Sequence, residues 1–270
     1  MKFPVYFVSH GGGPWPYMPE AEASNAALAA SLADIPRQLG VKPQAILMVS
    51  AHWVTQGPFQ VMTAPQPSML YDYYGFPAQT YEVTYPAPGS PTLAARVQQL
   101  LAGAGLPATP DPERGFDHGA FVPAHVMYPD ADVPMVQLSI DEGYDPELHL
   151  SLGRALAPLR DEGVLIVGSG LSYHNLRQIY GGGSVASAEF DAWLQQVLLK
   201  APAAERARHL QQWASAPSAR LAHPREDHLI PLMVAVGAAE GEAATCVYHE
   251  AQAFAGITAS SFRFGAPPTA

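Results

Sequence analysis

QAILMVSAHW, residues 44–53, is a short run of apolar residues that closes on Ser-Ala-His-Trp. It carries no charge and no helical spacing, so it reads as a strand buried on both faces, the kind found inside a parallel sheet. The pattern recurs. PVYFVSH, residues 4–10, is another apolar run ending in serine and histidine, and GVLIVGSG, residues 163–170, runs on into Ser172, Tyr173 and His174. In open α/β sheets ligands bind beyond the carboxyl ends of the strands. Histidines following three such strands are therefore placed to share one site.

The segments between these runs alternate between helix and strand patterns. Residues 20–40 are rich in alanine and leucine at helical spacing and close near Gly40. SPTLAARVQQLLAGAG, residues 90–105, predicts a helix with Ser90 as N-cap, Pro91 at the first position and glycine at the end. Helices are also predicted over 146–163, 187–201, 203–215 and 227–241. Strands are predicted at 59–64, 133–140, 245–251 and 260–265, and a long loop rich in tyrosine and proline at 65–91. The alternation predicts an α/β fold, a single domain over residues 1–270 with a central mixed β-sheet covered by helices on both faces.

The 270 residues are 48% apolar and 14% charged, the balance of a chain with a sizeable core. A net charge of −10 argues against nucleic acid or an anionic membrane as partner. One cysteine, Cys246, excludes an internal disulfide framework and favours a reducing, cytoplasmic setting. No signal-peptide pattern or 18-residue apolar span is expected.

Single motifs leave the chemistry open. SHGGGPW, residues 9–15, fits the oxyanion loop of an esterase, or a metal ligand at a strand end. The esterase reading needs a G-x-S-x-G elbow, and none occurs: Ser169 in VGSGLS has its glycines at the wrong spacing. Walker-A and G-x-G-x-x-G patterns are missing too. FDHGAFVP places Asp117 and His118 in a glycine-flanked loop. HPREDHLIPL places Pro224, Glu226 and Asp227 in or near the first turn of a helix, with His223 and His228 flanking them.

Taken in order, SHGGGP, VSAHW, YDYYGFP, FDHGAFVP, GSGLSYHNL and HPREDHLIPL resemble the motifs of class III extradiol ring-cleavage dioxygenases, in the branch of the 4,5-DOPA dioxygenases. The resemblance covers nearly the whole chain. It implies metal ligands at His10, His52 and His228. His174 is implied as a catalytic histidine close enough to be a fourth metal contact, His118 as a further active-site histidine, and His223 as a support for these. Members of the superfamily with two histidines and a glutamate use Fe(II); three histidines also suit zinc, so Fe(II) is expected for activity and Zn(II) in the protein as isolated. The expected partners are a small aromatic substrate and O2. Trp15 and Trp53, which follow two histidine motifs, and Tyr73 and Tyr74 in the loop are candidate walls for a flat ring. A zinc hydrolase using the same histidines, or a non-catalytic metal-binding protein, are the competing readings.

Overall fold

The computed structural model describes residues 2–179, 181–254 and 256–268. Eight strands form one mixed sheet: β1 (Val5–Ser9), β2 (Ala45–Thr55), β3 (Phe59–Met62), β4 (Ala108–Asp111), β5 (Met135–Asp141), β6 (Val164–Gly170), β7 (Ala244–Ala253) and β8 (Ile257–Phe264). Their order is β4-β3-β5-β2-β6-β1-β8-β7. The central four, β5-β2-β6-β1, run parallel; β3 and β8 join them antiparallel on either side. The three strands read first from the sequence, β1, β6 and β2, lie side by side and point the same way. Their residues are buried almost without interruption, as expected of strands covered on two faces.

The helices are α1 (Pro19–Glu22), α2 (Ala26–Leu39), α3 (Pro91–Gly103), α4 (His118–Met127), α5 (Pro146–Leu156), α6 (Ser184–Gln195), α7 (Ala203–Gln211), α8 (Ala219–Ala222) and α9 (Ile230–Ala238). The end of β6 shows that they cover both faces. A Cβ on Gly168 or Gly170 would lie 2.3 Å from the Pro231 carbonyl or 2.1 Å from that of His228, so the chain entering α9 presses on one face. Ser169, between them, points to the opposite face and donates its hydroxyl to the Gly119 carbonyl of α4. Only glycine admits such an approach on the α9 side. The same device seats α5 on α9, where a Cβ on Gly153 would meet Val234 O at 2.2 Å and one on Gly237 would meet Leu150 O at 2.1 Å.

Caps fall where the sequence puts them. The Leu93 N–H donates to Ser90 Oγ at the start of α3, and Gly40 closes α2 in the left-handed region. One strand lies where the sequence predicts none, and one expectation is corrected. Residues 108–111 form β4, hidden in the sequence by Pro110; the sheet edge tolerates a proline there because one side of the strand needs no ladder donor. Asp117 and His118 are not in a loop: Asp117 caps α4 through the Ala120 N–H and His118 is its first residue. Pro224, Glu226 and Asp227 lie in the bends and turn that lead into α9, close to its first turn, with the helix itself starting at Ile230. Part of the glycine-rich segment after His174, at Tyr180, lies outside the described residues.

Candidate metal centre

Five histidines meet at the carboxyl edge of the parallel strands. His10 directly follows β1 and its N–H donates to the Gly170 carbonyl of β6. His52 lies inside β2, not beyond it. The β2–β5 register slips between Val49 and Val54, and this irregularity aims His52 at the centre. His174 follows β6 by four residues, held by its N–H to the Ala222 carbonyl. His118 opens α4, and His228 stands in the turn before α9.

The ring nitrogens converge. His52 Nε2 lies 3.3 Å from His10 Nε2 and 3.3 Å from His228 Nε2. Metal–nitrogen bonds of about 2.0–2.1 Å place neighbouring imidazole nitrogens about 2.9–3.4 Å apart, so the spacing matches three ligands on one ion. By distance alone, His10 and His52 also group with His118, while His228 groups with His174 and Asp227. The direct Nε2 contacts join the two groups through His52, which touches His10 on one side and His228 on the other. His118 sits against it with its ring centroid 4.0 Å from that of His52, and His174 stacks on His228 at 3.4 Å and 19°.

Two of the rings, His10 and His118, are oriented by a hydrogen bond at Nδ1. His10 Nδ1–H donates to the Gly11 carbonyl at 2.8 Å, which leaves a lone pair on Nε2. His52 Nδ1 lies 3.2 Å from Asp72 Oδ2, and His118 Nδ1 lies 2.8 Å from Asp72 Oδ1. His228 Nδ1 comes within 3.1 Å of Asp227 Oδ1 but off the N–H direction, so it has no hydrogen bond. Burial, reinforced by neighbouring imidazoles, pushes His10 and His228 well below the usual histidine pKa, His52 to about 3 and His174 to about 4. The rings are thus neutral near pH 7. Neutral imidazoles turning lone pairs on one another at 3.3 Å repel, and a cation among them converts that repulsion into coordination. The donor set therefore fits a divalent metal.

The supporting residues are specific. Gly11 and Gly13 take φ of +82° and +58°; a Cβ there would lie 2.3 Å from Trp15 Nε1 and 2.3 Å from Phe76 Cζ. Gly12 carries no such constraint. At Gly119 a Cβ would lie 2.4 Å from Ser50 Oγ and 2.9 Å from His52 Cδ2, so this glycine lets α4 close on the ligand. His223, buried between Phe190 and Trp213, donates from Nε2 to the Ser172 carbonyl and so steadies the turn that carries His174; burial lowers its pKa to about 3.

The aromatic candidates divide. Trp15 is buried with its Nε1–H on the His10 carbonyl, and Trp53 is buried beneath the Arg114 guanidinium. Tyr73 packs edge-on 5.8 Å from His118, whereas Tyr74 is 91% exposed. Asp72 is the residue that motif reading missed. Its sole signal was an acidic residue among the tyrosines of LYDYYGF. Solvent reaches the centre past His52, Asp72, His174 and Asp227, whose side chains are 16–20% exposed. A groove of about 670 Å³ between α6 and β7–β8, lined by Asp191, Cys246 and His249, lies elsewhere.

Residues 5–265 match the family described as the catalytic LigB subunit of aromatic ring-opening dioxygenase. The chain belongs to that family. It is 42% identical to the 4,5-DOPA dioxygenase extradiol of Beta vulgaris over 87% of this chain and 86% of that one. It is 41% identical to the protein of that name from Escherichia coli (strain K12) over 74% of each. The crystal structure of an uncharacterized protein from Escherichia coli K12 superposes with a TM-score of 0.75 at 33% identity, covering 98% of this chain and 100% of that one. This aromatic ring-opening dioxygenase brings five of the six histidines in its motifs around one centre, with His223 behind them on the Ser172 carbonyl.

Proposed function

We propose that this dioxygenase opens the ring of a catechol, DOPA or a relative of it, by extradiol cleavage with O2 at a non-haem Fe(II) held by His10, His52 and His228. The observation that carries the reading is the pair of 3.3 Å Nε2 contacts joining these three histidines, with two further histidines against them. When bound, the iron supplies open positions at which a catechol and O2 meet. Zn(II) would occupy the same donors without supporting oxygen chemistry.

The chain's own groups do the rest. His118, hydrogen-bonded through Nδ1, presents Nε2 to a substrate hydroxyl and accepts its proton. His174 has neither ring nitrogen in a hydrogen bond among the described residues, which leaves it free to hold a proton and give it to an O2-derived oxygen as the O–O bond breaks, both oxygens staying in the product. Its stacking on His228 keeps it beside the three proposed ligands, where it would be a candidate for a fourth contact. Tyr73 walls the side of the ring next to His118, and Tyr74 stands at the open mouth. Trp15, Trp53 and His223 act by holding the histidine segments in place. One catalytic domain suffices, because a single sheet positions every residue named. The lone cysteine agrees with a cytoplasmic enzyme.

Metal-free protein loaded anaerobically with Fe(II), then mixed with DOPA or simpler catechols and O2, tests this. One O2 should be consumed per catechol, with a new absorbing ring-opened product. Protein of verified Fe(II) content that consumes no O2 across the catechol panel would refute it.

A further inference from the structure

Asp72 makes contacts that a merely structural loop residue does not need. Its Oδ1 accepts from both the His118 backbone N–H at 2.9 Å and His118 Nδ1–H at 2.8 Å, while its Oδ2 faces His52 Nδ1 at 3.2 Å. One carboxylate thus spans two rings whose centroids are 4.0 Å apart. We infer that Asp72 is the positioning residue that holds a metal-ligand candidate, His52, and an acid–base candidate, His118, in the same Nδ1–H tautomer, so that both Nε2 lone pairs face the centre. The inference rests on the proposed metal reading only for its consequence, since the tautomers exist with or without a metal.

A carboxylate is required because both of its oxygens only accept. Oδ1 takes two hydrogen bonds from His118, one from the ring and one from the backbone, and Oδ2 sets its charge 3.2 Å from His52 Nδ1, where a ring N–H is favoured over a lone pair. The isosteric amide cannot take this place. With its oxygen toward His118, its NH2 opposes His52 Nδ1 and favours the Nε2–H tautomer there, setting a hydrogen where the ion must bind. With the amide turned over, the NH2 opposes two donors of His118. Either way one ring loses its inward lone pair.

The far side of the centre lacks this device. Asp227 Oδ1 lies 3.1 Å from His228 Nδ1 and 3.8 Å from His174 Nδ1, and neither contact is a hydrogen bond. Asp72 therefore fixes His118 by hydrogen bonds and biases His52 by its charge, while Asp227 hydrogen-bonds neither of its histidine rings. The two acid–base candidates differ accordingly: His118 is held and His174 is loose.

Nitrogen-15 spectra of the histidine rings in the metal-free protein test the inference directly. Wild type should show His52 and His118 both protonated at Nδ1, and Asp72→Asn should switch one of them to Nε2–H. Binding of Co(II), followed by its visible absorption, should weaken about 10–100-fold in Asp72→Asn, the range for losing a partner of a metal-bound histidine. The isosteric Asp72→Asn should bind no better than Asp72→Ala, because only the amide imposes a wrong donor. Nε2–H at either histidine in wild type, or wild-type Co(II) affinity in Asp72→Asn, overturns the inference. Should Asp72→Asn not fold, the wild-type spectrum still decides. Correct tautomers in a wild-type protein that binds no Co(II) would instead sink the metal reading and leave Asp72's role intact.

Discussion

His10 and His174 contribute to the centre in different ways. His10 is fully buried, its Nδ1 bonded to the Gly11 carbonyl, and its Nε2 has no duty other than to face His52. His174 is partly exposed, stacked on His228 and without a ring hydrogen bond. His10→Ala should lose metal, measured by competition with a chromophoric chelator. His174→Ala should keep metal and lose turnover by about 10²–10⁴, the worth of a positioned acid or base. Undiminished metal affinity in His10→Ala would remove the first ligand of the set. Metal loss in His174→Ala would make that histidine a ligand in its own right.

Among the elements, α4 matters most to the site, and its start depends on one buried carboxylate. Asp117 caps the helix at the Ala120 N–H and accepts from Ser50 Oγ and Gln137 Nε2. It also pairs with Arg114 at 2.6 Å, and Arg114 in turn donates to the His52 carbonyl. Helix start, β2 and β5 are thus tied at one side chain. Asp117→Ala should destabilise the fold by about 3–5 kcal/mol, because the mostly buried Arg114 charge loses its partner. Urea unfolding measures this, and a loss below about 1 kcal/mol would show the pair to be inert. Sequence reading took Asp117 and His118 for a loop and predicted no helix here. The cap depends on Ser50 and Gln137, whose nearness no local pattern reveals.

For the whole molecule, closing a sheet edge over so many neutral histidines makes stability depend on pH. In an unfolded chain each titrates near 6.5. In the fold, burial and neighbouring imidazoles hold His52 and His223 at about 3 and His174 at about 4. The folded values are lower, so below about pH 6.5 the unfolded chain binds more protons and gains on the folded one. Stability of the metal-free protein should be full above that pH and fall steadily as the pH drops toward 4. Urea midpoints between pH 7.5 and 5 check this; a flat profile would mean the histidines are solvated in the fold.

The sequence by itself determined the alternation of buried strands and helices, the placing of His10 and His174 beyond β1 and β6, and the family motifs in their order. These are legible because apolar runs, caps and motif spacings are local. Tertiary structure alone decided which histidine nitrogens meet at 3.3 Å, that Trp15 bonds the His10 carbonyl and Trp53 lies beneath the Arg114 guanidinium, and that Asp72 spans two rings. The strand order brings together residues as far apart as His10 and His228. The direction of the His10 and His118 rings then follows from whichever carbonyl or carboxylate the packed chain offers Nδ1. A distance of that kind has no signature along the chain, because it is set by the folding of separate segments onto one sheet edge.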